Sequence, residues 1–250
     1  MTPPLKKTLT EPSLPGIVGL INRGYHIRNP VSNRQDQKNT KRENKTMKIE
    51  CLPVGYLRAN CYVVSDEETK KAAVIDPGGN PEKILGYLEE NGLSCEAILL
   101  THAHDDHTKG VYGVMEPTGA RVYMNRGDVG LTVRRTGLCF QEPEDTIFIG
   151  EGDVVEVGTL RFRVLETPGH TPGGLCFICE DALFSGDTLF KGSTGRADLG
   201  GDMDTELRSL KKLAALKGDF RVFPGHADAT TLQFERDTNP WMKRGVEMPD

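Results

Sequence analysis

The chain has 250 residues, 37% of them hydrophobic and 27% charged, a composition that fits a soluble globular protein able to bury a substantial core. Residues 1–46 hold nine Lys/Arg against three Asp/Glu, which leaves 22 basic and 33 acidic residues beyond them and a net charge of −11 there. So acidic a segment repels polyanions and excludes nucleic acid as an expected partner. No apolar run reaches the length of a membrane span, and the early "LPGIVGLI" reads as neither a signal peptide nor an anchor. Six scattered cysteines without an export signal predict reduced thiols and a cytoplasmic protein.

In chain order, residues 1–46 come first, and "NPVSNRQDQKNTKRENKT" is too polar to fold alone. We expect 1–46 to be a disordered extension, with Met47 as the functional start, rather than a basic tail that meets an acidic partner. A single domain is expected over residues 47–250. Strand patterns follow at "KIECLP", "NCYVVS", "AAVID", "EAILLT" and "ARVYM", and, past a midpoint near "EPEDTIFIGEGD", at "DVVEV", "LRFRVLE", "LCFICE", "ALFSG" and "FRVFP". Helical spacing marks Pro81–Asn91 and Met203–Leu216, and a third helix beginning near His107 with Val111, Val114 and Met115 on one face. Pro81 suits a first helical turn. Strands and helices on both sides of the midpoint predict an α/β fold of two halves, stacked sheet to sheet with helices outside.

The chain's six histidines are not spread evenly: three fall within "HAHDDH", His102 to His107. Asp76, His102, His170, Asp187 and His226 each follow the end of an apolar strand, where β/α folds gather their ligands. "TPGHTPGG" and "FPGHADA" supply sharp turns that project a side chain from a strand end. His and Asp suit divalent first-row metals. His102, His104, Asp106, His107, His170, Asp187 and His226 are too many ligands for one ion. They divide over two ions with one carboxylate shared, the arrangement in which two metals about 3.5–4 Å apart activate a water.

These motifs, in this order, resemble the metallo-β-lactamase fold hydrolases: "HAHDDH" matches HxHxDH, and "TPGHTPGG", "FSGDTLF" and "VFPGH" look like the later motifs. The likeness runs from about Met47 to the end and is nearest to the short, single-domain glyoxalase II-like (hydroxyacylglutathione hydrolase-like) branch. It implies a four-layer αβ/βα sandwich, a first metal on His102, His104 and His170, and a second on Asp106, His107 and His226 with Asp187 bridging. The implied cofactors are two divalent ions, zinc foremost, with iron or manganese also suited. The implied activity is a metal-dependent thioester hydrolase on small 2-hydroxyacyl thioesters, its partner being that small molecule rather than nucleic acid or membrane. Only 24 residues follow His226, so the helical domain with which longer glyoxalase II enzymes hold glutathione is not expected. β-Lactamases of this fold commonly carry a cysteine at the position of Asp187, which argues against antibiotic hydrolysis. The alternative on the same fold is a mononuclear iron persulfide dioxygenase.

Other residues are weighed against plainer roles. Asp106 is expected to orient the nucleophile as well as bind metal. Asp76 either orients a metal-binding histidine or caps the turn at Pro77. Lys191 and Arg196, in the glycine-rich stretch Phe190–Asp202, either meet an anionic substrate group or, for Arg196, pair with Asp198. Cys176 and Cys179 stand three apart in a strand, so they face opposite sides of the sheet and read as core. Gly78 and Gly79 lack the frame of a nucleotide loop. Arg134 and Arg135 read as a solvated helix face, and Trp241 as packing for the C-terminal tail.

Overall fold

Period-two alternation runs along the strands of the computed structural model, which describes residues 47–132 and 139–249. The expectations for residues 1–46 and for Arg134 and Arg135 lie outside the described residues. Six strands form the first sheet in sequence order: β1 (Met47–Val54), β2 (Ala59–Asp66), β3 (Lys71–Ile75), β4 (Ser94–Leu99), β5 (Arg121–Met124) and β6 (Ile147–Phe148). The second sheet has the order β14-β13-β10-β9-β8-β7. Its strands are β7 (Val154–Val157), β8 (Leu160–Glu166), β9 (Leu175–Cys179), β10 (Ala182–Gly186), β13 (Arg221–Pro224) and β14 (Thr230–Thr231). A small hairpin of β11 (Leu189–Phe190) and β12 (Ser193–Thr194) lies between β10 and β13 in sequence.

Each strand divides its side chains between two layers. Tyr62, Val64, Ala73, Ile75, Ala97 and Leu99 join Phe162, Phe177 and Phe184 in one core between the sheets. The alternate residues Cys61, Val63, Val74 and Ile98 pack with Ile84 and Leu88 of α1 (Pro81–Glu90) and Val111 and Val114 of α3 (Val111–Thr118). On the far face Cys176, Ile178 and Leu183 meet Leu207, Leu210 and Leu213 of α4 (Met203–Ala214), with Leu232 of α5 (Leu232–Thr238) and Met242 of α6 (Pro240–Val246). The result is the four-layer αβ/βα sandwich. Cys176 and Cys179 fall in different cores, as strand geometry requires. Trp241 packs partly buried against the α4 layer. Among the described residues no helix is long and apolar enough to cross a membrane.

One helix departs from the sequence expectation. The third helix is two: α2 (Asp105–Thr108) and α3, separated at Gly110. The Gly110 N–H donates to the Pro77 carbonyl at 2.7 Å. A Cβ at Gly110 would sit 2.7 Å from that oxygen and 3.1 Å from the Gly79 nitrogen. The loop after β3 therefore presses on the chain at that point and breaks the helix.

Candidate metal centre

Parallel pairing brings the ligand loops to one edge. β3 and β4 run parallel, so Asp76 and Thr101–His104 emerge side by side. β10 and β13 are likewise parallel, with Gly186 opposite Pro224, which sets Asp187 beside His226. β8 ends just before the turn that carries His170, and α2 opens with Asp105, placing Asp106 and His107 in its single turn. Gly225 permits a close approach: a Cβ there would lie 2.3 Å from Asp187 Oδ1 and 2.7 Å from His107 Cε1.

The seven ligand-type residues expected from the sequence come together. Ligand atoms of His102, His104 and His170 lie within 4.8 Å of one another, and so do those of Asp106, His107 and His226. Asp187 spans both groups. Its Oδ1 is 3.5 Å from His107 Nε2, and its Oδ2 is 3.5 Å from His170 Nε2 and 3.8 Å from His226 Nε2. Asp106 Oδ2 lies 3.1 Å from His226 Nε2.

The remaining ring nitrogens are held from behind. His104 Nε2 donates to the Leu199 carbonyl at 3.2 Å, and His170 Nδ1 donates to the Arg196 carbonyl at 2.6 Å. Carbonyl oxygens only accept, so those nitrogens carry the protons. In the neutral rings, His104 Nδ1 and His170 Nε2 are then bare, yet they face each other at 2.9 Å. His107 Nδ1 lies 3.0 Å from Asp76 Oδ2, which leaves His107 Nε2 to face His226 Nε2 at 3.3 Å. At the His104–His170 contact the opposed lone pairs repel unless a cation stands between them. His102 Nε2 and Asp187 Oδ1 are buried with no hydrogen-bond partner, each costing about 1–3 kcal/mol if left so. The donor set fits metal ions on both counts.

The charges agree with that reading. Burial, then the neighbouring imidazoles, holds His102 well below the ordinary histidine range. Burial lowers His104 as well and brings His170 to about 4, so all three are neutral, as ligands must be. Burial opposes charge on His107, but Asp187, Asp76 and Asp106 outweigh it and raise the ring to about 9. That pocket asks for positive charge, which a cation supplies in place of the proton. Burial would also raise Asp106, yet the His226 hydrogen bond and the charge of His107 hold it at about 2.

The Asp76 carboxylate faces His107 and Thr101 rather than the turn at Pro77. Besides His107 it accepts from the Thr101 N–H at 2.8 Å and the Thr101 hydroxyl at 2.6 Å, and Thr101 Oγ1 in turn lies 3.0 Å from His102 Nδ1. In the glycine-rich stretch the second of the two readings for Arg196, pairing with Asp198, is the one observed. The Arg196 guanidinium is engaged by Asp198 at 2.8 and 2.6 Å, and it is the Arg196 backbone that reaches the site. Lys191 Nζ lies 3.8 Å from Asp228. Arg196 and Asp198 border an open pocket of about 500 Å³ whose wall includes Met203 and Trp241.

Two buried acids at the site went unnoticed in the sequence. Asp128 accepts from Ala103 and Gly173, and Glu206 accepts from the His170 N–H at 2.7 Å and binds the Thr194 hydroxyl at 2.8 Å. Burial pushes Glu206 up to about 8. Its available signal was a glutamate on the apolar face of α4; for Asp128 it was a position just past the end of β5.

A four-layer sandwich with paired His/Asp ligand sets along one edge is the layout of a metal-dependent hydrolase fold. The family model of the metallo-beta-lactamase superfamily matches residues 54–226, and the chain belongs to that superfamily. It is 35% identical over 209 residues to the hydroxyacylglutathione hydrolase GloC of Haemophilus influenzae, covering 78% of this chain and 98% of GloC. Among solved structures it is similar to the BLEG-1 B3 metallo-beta-lactamase (34% identity, TM-score 0.72, 78% of this chain and 99% of that one). It is likewise similar to TTHA1623 in a di-iron-bound form (39% identity, TM-score 0.68, 77% and 99%).

Proposed function

We propose that this chain is a dinuclear metal-dependent thioesterase that hydrolyses small 2-hydroxyacyl thioesters in the manner of a glyoxalase II. The observation that carries the dinuclear reading is Asp187, whose two oxygens lie near histidines of both ligand sets. His102, His104 and His170 would hold one ion, and Asp106, His107 and His226 the other, with Asp187 shared. Zinc, iron and manganese all suit such nitrogen and oxygen donors, zinc foremost. Divalent ions at such a centre lower the pKa of water towards neutrality and polarise a carbonyl oxygen.

The chain's own residues do the rest. Asp106, held ionised, accepts a proton of the attacking water and orients its oxygen towards the carbonyl carbon. Asp76, through His107 and through Thr101 and His102, fixes two imidazoles against rotation. The C–S bond breaks as the new C–O bond forms, and the departing thiolate takes up a proton to give an acid and a thiol. The pocket bounded by Arg196, Met203 and Trp241 is where the thiol carrier would lie, with Arg196 turned from Asp198 to an anionic group. The similarity to GloC supports the substrate class.

The test is a hydrolysis screen of metal-loaded protein against S-lactoyl thioesters of glutathione and two other thiols. A β-lactam arm is included because a B3 metallo-beta-lactamase is among the similar structures. We expect thioester turnover that is lost with chelator, with Arg196→Ala raising KM more than it lowers kcat. Hydrolysis confined to the β-lactam, or oxygen uptake with a persulfide in place of hydrolysis, would overturn the assignment.

A further inference from the structure

We propose that Asp128 is a positioning residue that sets the strength of one metal site, the His102–His104–His170 set, and leaves the other nearly untouched. The inference rests on the dinuclear reading above. Asp128 is buried, in a 3-10 turn (Arg126–Asp128) that follows β5. Its Oδ2 accepts from the Ala103 N–H and from the Thr171 hydroxyl, each at 2.9 Å, and its Oδ1 accepts from the Gly173 N–H at 2.6 Å. Ala103 stands between His102 and His104, and Thr171 follows His170 directly.

One carboxylate thus ties the loop after β4, from the first half, to the loop after β8, from the second. Those two loops carry all three ligands of the first set. None of the three donors belongs to α2 or to the turn that carries His226. The fit is close: a Cβ on Gly173 would lie 2.6–2.8 Å from the Asp128 backbone nitrogen and carboxyl. Asp76 differs, because it touches His107 of the second set and reaches His102 of the first through Thr101. Without Asp128, the N–H groups of Ala103 and Gly173 would be buried and unpaired, and the two loops would settle at a new spacing. Outer partners of this kind change metal affinity by about 10–100-fold.

The experiment titrates metal-free full-length protein with cobalt(II) and follows the visible ligand-field absorption as ions bind. Asp128→Asn keeps the side-chain volume but turns an NH2 towards backbone donors. We expect it to bind one ion as the wild type does and the other about 10–100-fold more weakly. Adding His226→Ala to Asp128→Asn should then remove the remaining tight ion, whereas adding His104→Ala should leave it. Equal weakening of both ions, no change, or a tight ion abolished by His104→Ala would overturn the proposal. If Asp128→Asn does not fold, Thr171→Val removes one of the three bonds and must weaken the same set to a smaller degree; equal loss at both sites overturns the proposal there too. A wild type that takes up one ion counts against the dinuclear reading. Even then, Asp128→Asn must weaken that ion if His104→Ala abolishes it, and must spare it if His226→Ala does.

Discussion

A histidine ring has two nitrogens, and in this site one of each is spent on orientation. Thr101, Leu199, Asp76 and Arg196 hold the outer nitrogens of His102, His104, His107 and His170, and the inner ones converge. A carboxylate does comparable work for the fold at Asp66, which is buried between two turns. It accepts from Glu68 N–H at 3.0 Å, the Thr69 hydroxyl at 2.7 Å and Thr159 N–H at 2.7 Å, so it joins the β2–β3 turn to the β7–β8 turn. Burial alone would raise Asp66, but the N–H of Thr159, the Thr69 hydroxyl and the N–H of Glu68 outweigh it and hold the group at about 2. A folded pKa below the unfolded value stabilises the protein above about pH 4 and ceases to do so as pH falls through about 2. The contribution is about 2 kcal/mol at neutrality. Asp66→Asn should therefore lower the denaturant midpoint at pH 6, with the gap to wild type closing between pH 4 and pH 2. A gap that does not change with pH would show that the group is not depressed. The metal-type residues were legible because histidine is rare and sits here after strand ends. Asp128 and Glu206 were not, because acids are common and their partners lie 45 and 36 residues away in sequence.

Elements long enough to show a period were readable from the sequence, and those that were not escaped it. All ten expected strands are present, whereas β6, β11, β12 and β14 have two residues each, too few for any alternation. Helices α5 and α6 have seven residues each, two turns whose identity rests on the caps Thr231 and Asn239. The break between α2 and α3 was invisible for another reason: its cause is the Pro77–Gly79 loop, which lies elsewhere in sequence. Gly110→Ala would drive a methyl group into that loop. We expect a loss of about 1–3 kcal/mol, as for other overpacked sites, together with weaker metal binding because Asp76 precedes the displaced Pro77. Gly86→Ala is the control. It lies inside α1 with nothing within 4 Å of its Cβ, and should gain about 0.5–1 kcal/mol. Urea unfolding of both variants checks the pair, and a Gly110→Ala protein as stable as wild type would refute this account of the break.

At the scale of the molecule, the centre lies on the seam between the two halves. The first sheet and its helices deliver His102, His104, Asp106 and His107, and the second delivers His170, Asp187 and His226. Phe162, Phe177 and Phe184 lie fully buried between the sheets. The architecture was readable because strand order and loop position follow from local pattern. The cross-half contacts that tune the centre were not, because they depend on how the two sheets meet. Asp187 is the residue on which the dinuclear account depends. Elemental analysis of metal-saturated wild type and Asp187→Ala, each passed over a desalting column, tests it most directly. Two ions per chain in the wild type, and the loss of both in Asp187→Ala, is the predicted result. A variant that keeps one ion at wild-type affinity would contradict a shared carboxylate.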